Sequence, residues 1–197
     1  ITYMSRKIHY IVASFIFLFY NYIVMFMYMK KYKTNDNYSD ILMCSDGKYL
    51  IGLWFEGSKD SLKHKDEFTK KELPIFDETT KWLDSYFNGI IPDFTPKYKI
   101  NNITSFRKQV IDIMNKIPYG NVITYNDIAK IIAKNNNIKK MSAQAVGNAV
   151  GSNPICIIIP CHRVVGVNNK LTGYGGGLDN KISLLSHEGI EVSKYKR

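Results

Sequence analysis

The sequence predicts an α+β protein in which a small strand-bearing half precedes a helical half that holds most of the charge excess. Three observations predict this. Two apolar runs, ILMCS and KYLIGLWFEG, flank Asp46-Gly47, a dipeptide that favours a tight hairpin. Segments that begin at capping residues and repeat apolar side chains at helical spacing fill residues 105–151. The net charge of +10 is unevenly placed: residues 30–100 hold 12 Lys against 12 Asp or Glu, whereas residues 101–197 hold 13 Lys or Arg against 5 Asp or Glu. A basic domain beside a neutral one points to a polyanionic partner, with nucleic acid the usual candidate.

Composition excludes several other classes. A chain of 197 residues can bury a real core without a disulfide framework. Hydrophobic residues at 45% and charged residues at 22% exclude wholesale disorder. Three scattered cysteines, Cys44, Cys156 and Cys161, leave at least one free thiol and fit a reducing, cytoplasmic location.

Residues 1–29 form an apolar leader. Ile8 to Met29 is a run of 22 residues without Asp, Glu, Lys or Arg, which as a helix of about 33 Å is long enough to cross a bilayer. Positive charge flanks it on both sides and no small-residue cleavage site follows. Three readings stay open: a membrane anchor, a buried helix, or a non-native extension. The last is preferred, because the chain starts at Ile1 and its richness in Ile, Lys, Asn, Tyr and Phe suits AT-rich coding, whose untranslated flank would read the same way. Met29 would then be a natural start.

From Ile41 the pattern is a β-hairpin. Ser58 to Glu72 reads as a charged loop, and PIFDETTKWLDSYF places Phe76, Thr80, Leu83 and Phe87 on one helical face, with Gly89 as a stop. This domain, residues 38–92, reads as structural support, and Cys44 as a small buried hydrophobe. Asp93 to Asn102 is a linker. Ser105 then precedes an amphipathic helix marked by Phe106, Val110, Ile113, Met114 and Ile117, and Pro118-Tyr119-Gly120 ends it. Thr124 can cap YNDIAKIIA and Ser142 can cap AQAVGNAVG, giving two short helices joined by a turn. The second offers Ser142, Ala143, Ala145 and Gly147 but no Arg or Lys, so it lacks the side chains that read guanine in the major groove. Small residues suit either an intimate seat in the minor groove or a tight helix–helix contact.

ICIIIPCHRVVG carries the chemistry. Ile155 to Ile159 reads as a buried strand stopped by Pro160, and Cys161 follows with His162 and Arg163, a base and a positive charge that can lower a thiol pKa. On a regular strand His162 would face away from Cys161, so a break or a water must join them.

NPICIIIPCHRVVG resembles the signature of the O6-alkylguanine-DNA alkyltransferases, the methylated-DNA protein-cysteine methyltransferases. YGNVITYNDIA, SAQAVGNAVGSNP, LTGYGGGLDNK and LLSHEG follow in that family's order and spacing across residues 101–190. The resemblance implies an amino-terminal ribonuclease H-like domain over residues 38–92 and a winged helix-turn-helix-like alkyltransferase domain over 101–190. It implies a suicide reaction in which Cys161 takes the alkyl group from a flipped-out guanine, His162 acts as base through water, Glu188 orients the imidazole, Tyr125 assists the departing guanine and Asn153 holds the backbone. Ser142, Ala143, Gln144, Ala145, Gly147 and Arg163 would meet DNA, and Tyr174, Gly175 and Gly176 would line the base pocket. The implied partner is double-stranded DNA carrying O6-alkylguanine, bound through the minor groove by a monomer with no obligate protein partner and no cofactor.

The sequence departs from the better-known family pattern at three places. Gln144 stands where many members place an arginine that fills the gap left by the flipped base. Gly175 stands where some have a serine, which predicts extra room in the pocket. Cys44 and His64 make no recognisable ligand set, so no metal is expected. An alkyltransferase-like module that binds damaged DNA without chemistry is the alternative function; it would not need Cys161, His162, Glu188 and Tyr125 together. A thiol hydrolase would need an oxyanion site and would survive its own reaction.

Overall fold

The structure is a computed structural model that describes residues 27–63 and 68–196. Residues 1–26, which hold most of the apolar leader, and His64 lie outside the described residues. Among the described residues no helix is long and apolar enough to cross a membrane. The architecture is mixed α and β.

Four strands make the first sheet: β1 (Tyr28–Tyr32), β2 (Ile41–Ser45), β3 (Leu50–Phe55) and β4 (Thr69–Lys70), in the order β3-β2-β1-β4. The two predicted strands pair antiparallel, but their connection is wider than the two-residue turn expected from Asp46-Gly47. It spans residues 46–49, because Asp46 Oδ1 accepts from the amides of both Lys48 (3.0 Å) and Tyr49 (2.8 Å) and winds an extra turn. β1 overlaps the end of the leader and pairs with β2 in full register from Tyr28 opposite Ser45 to Tyr32 opposite Ile41.

Helix α1 (Pro74–Phe87) packs Phe76, Leu83 and Tyr86 into the core; Thr80 and Phe87 of the predicted stripe are half-buried at its margin. It ends at Gly89 as expected. Gly89 adopts φ +75°, its amide bonds Tyr86 O, and the Ile90 amide reaches back to Ser85 O, the paired bonds of a Schellman motif.

The basic half holds α2 (Ser105–Met114), α3 (Tyr125–Asn135), α4 (Ala143–Val150) and α5 (Leu178–His187), with a two-stranded parallel pair, β5 (Ile123–Thr124) and β6 (Val164–Val165). Thr124 Oγ1 accepts from the Asp127 amide (3.1 Å) and Ser142 Oγ from the Ala145 amide (3.3 Å), so both predicted caps form. At α2 the cap is Thr104, whose Oγ1 accepts from the Arg107 amide, and Ser105 is the first helical residue.

One core runs through both halves, from Ile41, Leu53 and Phe76 to Ile128, Val146 and Leu184. The free edge of β3 joins them: the Leu53 amide donates to Pro154 O (2.8 Å) and Leu53 O accepts from the Cys156 amide (3.0 Å). The segment that carries the reactive-centre motif is therefore fastened to the amino-terminal sheet.

Candidate active site

Ile155 to Ile159 is not the strand its apolar run predicts. Only Ile155 bridges to the sheet, and the next residues fold into a tight knot in which Ile157 takes φ +67°. A β-branched residue there is a genuine conformational outlier, held only where its surroundings over-determine it. Asn153 supplies that hold. Its Nδ2 donates to Ile155 O (3.1 Å) and Ile159 O (3.0 Å), and its Oδ1 accepts from the Ile155 amide (3.0 Å). Asn153 Nδ2 also lies 3.1 Å from Cys161 Sγ.

Cys161, His162 and Arg163 form one 3-10 turn after Pro160. His162 is fully buried, and its Nε2 lies 2.7 Å from Glu188 Oε1. Its Nδ1 has no hydrogen-bond partner among the described residues, and no direct bond joins it to Cys161. Glu188 caps the C-terminus of α5, where the protein surrounds it with donors. Tyr86 Oη donates to Oε1 at 2.7 Å, Arg163 donates to both carboxylate oxygens at 2.8 and 2.9 Å, and the Gly120 amide donates to Oε2 at 3.2 Å.

These contacts set the charges. Burial pushes the Glu188 carboxyl up, but the hydrogen bonds and charges of His162 and Arg163 outweigh it and bring the group to about 2. His162 is held below its ordinary value, because burial outweighs the pull of Glu188, so the imidazole is a neutral base at pH 7. Cys161 is held below the ordinary thiol range chiefly by its hydrogen bond with the neighbouring Cys156 thiol; burial opposes this, and the Asn153 amide and the Lys181 charge assist it.

Arg163, predicted as a DNA contact, points inward. Its guanidinium forks over Glu188 and donates to Ile117 O at 2.7 Å, because a buried carboxylate needs a counter-charge and this is the adjacent one. Tyr125, the first residue of α3, is half-buried, with its hydroxyl 3.4 Å from the carbonyls of Thr172 and Gly173. Burial raises its pKa, which keeps the phenol protonated and able to donate. On α4, Ser142 and Gln144 are exposed while Ala143, Ala145 and Gly147 are half-buried, so the first turn presents Gln144 to solvent. A Cβ on Gly147 would lie 3.8 Å from the Tyr125 ring, an ordinary contact.

The loop 173–177 carries Tyr174, Gly175 and Gly176. Tyr174 packs edge-on against Phe55 with ring centroids 6.4 Å apart. Gly176 is required there, since a Cβ would meet Phe55 and the Tyr174 ring at 2.7 Å. The extra room expected at Gly175 is not open: a Cβ on Gly175 would lie 1.6 Å from Asp60 Oδ2, because the carboxylate of Asp60 fills that space.

Several site residues were invisible in the sequence. Tyr86 belongs to a helix read as support, and its spacing marks it only as core. Lys181 is fully buried, with Nζ donating to Val164 O (2.7 Å) and Thr172 O (3.1 Å), and burial lowers it to about 8. Asp60 comes from a stretch read as solvated loop. Cys156 was one apolar-run residue among five.

A buried thiol, a neutral imidazole and an ion-paired carboxylate thus stand together beside two capped helices. Residues 105–190 match the family model described as 6-O-methylguanine DNA methyltransferase, DNA binding domain. The chain is 40% identical over 149 residues to the methylated-DNA--protein-cysteine methyltransferase of Methanosarcina acetivorans, covering 76% of this chain and 91% of that protein. It is 39% identical over 151 residues to the protein of the same name from Haemophilus influenzae, covering 76% and 80%. In structure it resembles the Mycobacterium tuberculosis O6-methylguanine methyltransferase at a TM-score of 0.67 and 30% identity, covering 86% of this chain and 95% of that one. The DNA complex of the M. tuberculosis protein matches at 0.66 and 29%, covering 86% and 94%. The chain belongs to the methylated-DNA--protein-cysteine methyltransferase family.

Proposed function

We propose that the protein repairs DNA by moving the alkyl group of O6-alkylguanine onto Cys161 in a single, irreversible turnover. The observation that carries this reading is the setting of Cys161: a thiol held at 3.1 Å by a fixed amide, next in sequence to an imidazole that is itself held at 2.7 Å by a carboxylate. His162 takes the thiol proton through a water at Nδ1, and Glu188, fixed by Arg163, stabilises the imidazolium that forms. The sulfur attacks the alkyl carbon, a C–S bond forms as the C–O6 bond breaks, and the electron pair leaves on the guanine. Tyr125 donates to that base, so it does not leave as a bare anion. Asn153 keeps the knot and the sulfur in place.

The helices α3 and α4 serve as a winged helix-turn-helix-like unit that seats its small-residue face in the minor groove, with Gln144 filling the space of the flipped guanine. Tyr174, Gly175 and Gly176 line the base pocket. Residues 101–190 form the alkyltransferase domain and residues 38–92 a ribonuclease H-like domain, whose sheet edge and Tyr86 support the site. Three free thiols, Cys44, Cys156 and Cys161, accord with work in the cytoplasm. The name of the M. tuberculosis DNA complex supports DNA as the partner.

Cys161→Ser tests the nucleophile. It is expected to bind an O6-methylguanine duplex as the wild type does, by fluorescence anisotropy, and to restore no guanine; retained transfer would overturn the assignment. Equal binding with no transfer in the wild type as well would place the protein in the binding-only class.

A further inference from the structure

The contact between Asp60 and Gly175 crosses from one half of the molecule to the other. Asp60 lies in the amino-terminal half, just before a 3-10 turn at Ser61–Lys63, and is 8% exposed. A Cβ built on Gly175 would lie 1.6 Å from Oδ2, 2.6 Å from Cγ and 3.0 Å from Oδ1 of Asp60. Atoms that are not bonded cannot approach to 1.6 Å, so a side chain at 175 and the carboxylate at 60 compete for a single volume. The chain resolves the competition by leaving 175 without a side chain.

On the reading above, in which Gly175 lines the base pocket, that volume belongs to the pocket wall. Gly175 follows Tyr174, whose ring packs on Phe55, the last residue of β3. The charge of Asp60 also acts on both Cys156 and Cys161, in each case disfavouring the thiolate, which places the carboxylate within electrostatic reach of the two sulfurs. A carboxylate so placed yields little, since pushing it into deeper burial costs desolvation.

We infer that Asp60 is a specificity-determining residue: it forms a wall of the pocket at Gly175 and limits the size of the alkyl group that Cys161 accepts. This inference rests on the transfer reaction proposed above. It makes the amino-terminal half a part of the substrate site, and it reverses the expectation that Gly175 enlarges the pocket. The two residues act as one unit in which the space yielded by one is occupied by the other.

The test compares the rates of Cys161 alkylation by two duplexes, one carrying O6-methylguanine and one O6-benzylguanine, for wild type, Asp60→Ala and Asp60→Asn. Asp60→Ala is expected to raise the benzyl rate relative to the methyl rate by about tenfold or more, the scale on which pocket volume discriminates apolar groups. Asp60→Asn keeps the volume and is expected to keep the wild-type ratio, while its lost charge shifts the pH profile of both reactions toward lower pH. Asp60→Ser, which retains a polar group, stands in if the alanine variant does not fold, and is expected to raise the ratio in the same direction. An unchanged ratio in a folded, methyl-transferring Asp60→Ala or Asp60→Ser protein would overturn the inference alone. A wild-type protein that forms no methyl adduct would overturn the functional reading, and this inference with it.

Discussion

Glu188 concentrates the site's electrostatics in one side chain. Its carboxylate accepts from Tyr86, His162, Arg163 and Gly120, and every one of those donors comes from a different stretch of chain except the adjacent pair His162 and Arg163. Because its pKa falls to about 2 in the folded protein from an ordinary 4.5, it contributes stability that is complete above pH 4.5 and is lost as pH falls toward 2. His162 adds to acid sensitivity with the same sign: its folded pKa lies below 6.5, so protons favour the unfolded chain as pH drops through that value. Glu188→Gln is predicted to lower stability by about 3 kcal/mol, because Arg163, half-buried against it, loses its counter-charge. It is also predicted to raise the Cys161 thiol pKa, since the imidazole loses the charge that stabilises its protonated form. Denaturant melts check the first effect and the pH dependence of Cys161 alkylation checks the second; an unshifted pH profile would contradict the proposed relay.

At the scale of elements, α3 and α4 form where their caps predict, and α1 stops where Gly89 predicts, because each of these signals is local chemistry between residues three or four apart. Their exposed consequence is Gln144, in the first turn of α4. Replacing a neutral amide by a guanidinium strengthens a hydrogen bond by about 1 kcal/mol, so Gln144→Arg is predicted to bind an O6-methylguanine duplex about fivefold more tightly. Titration by anisotropy checks this, and unchanged binding would mean that this position does not enter the duplex. The segment 155–159 misled for an equally physical reason. Five apolar residues are indistinguishable from a buried strand by pattern, and what bends them is Asn153, whose side chain takes three backbone groups that a strand would pair elsewhere. β1 was hidden because Tyr28–Tyr32 spans the boundary between an apolar run and a lysine pair, and β4 because two residues carry no pattern.

Across the whole molecule, residues 41–100 do more than support. The edge of β3 pins the backbone at Pro154 and Cys156, Tyr86 donates to Glu188, and Asp60 fills the space at Gly175. Cys161, His162 and the capped helices were legible from sequence because their chemistry sits in contiguous motifs. Glu188, Tyr125 and Asn153 needed the family resemblance, and Tyr86, Lys181 and Asp60 were out of reach, since they matter only through contacts with residues 9 to 115 positions distant. The most direct test of the account is to mix the protein with duplex DNA bearing one O6-methylguanine, without cofactor, and to weigh its peptides. The account predicts one added methyl on the peptide that holds both Cys156 and Cys161, placed on Cys161 by fragmentation, none on the peptide containing Cys44, and guanine restored in the DNA; bound DNA with no adduct, or a methyl on another residue, would contradict it.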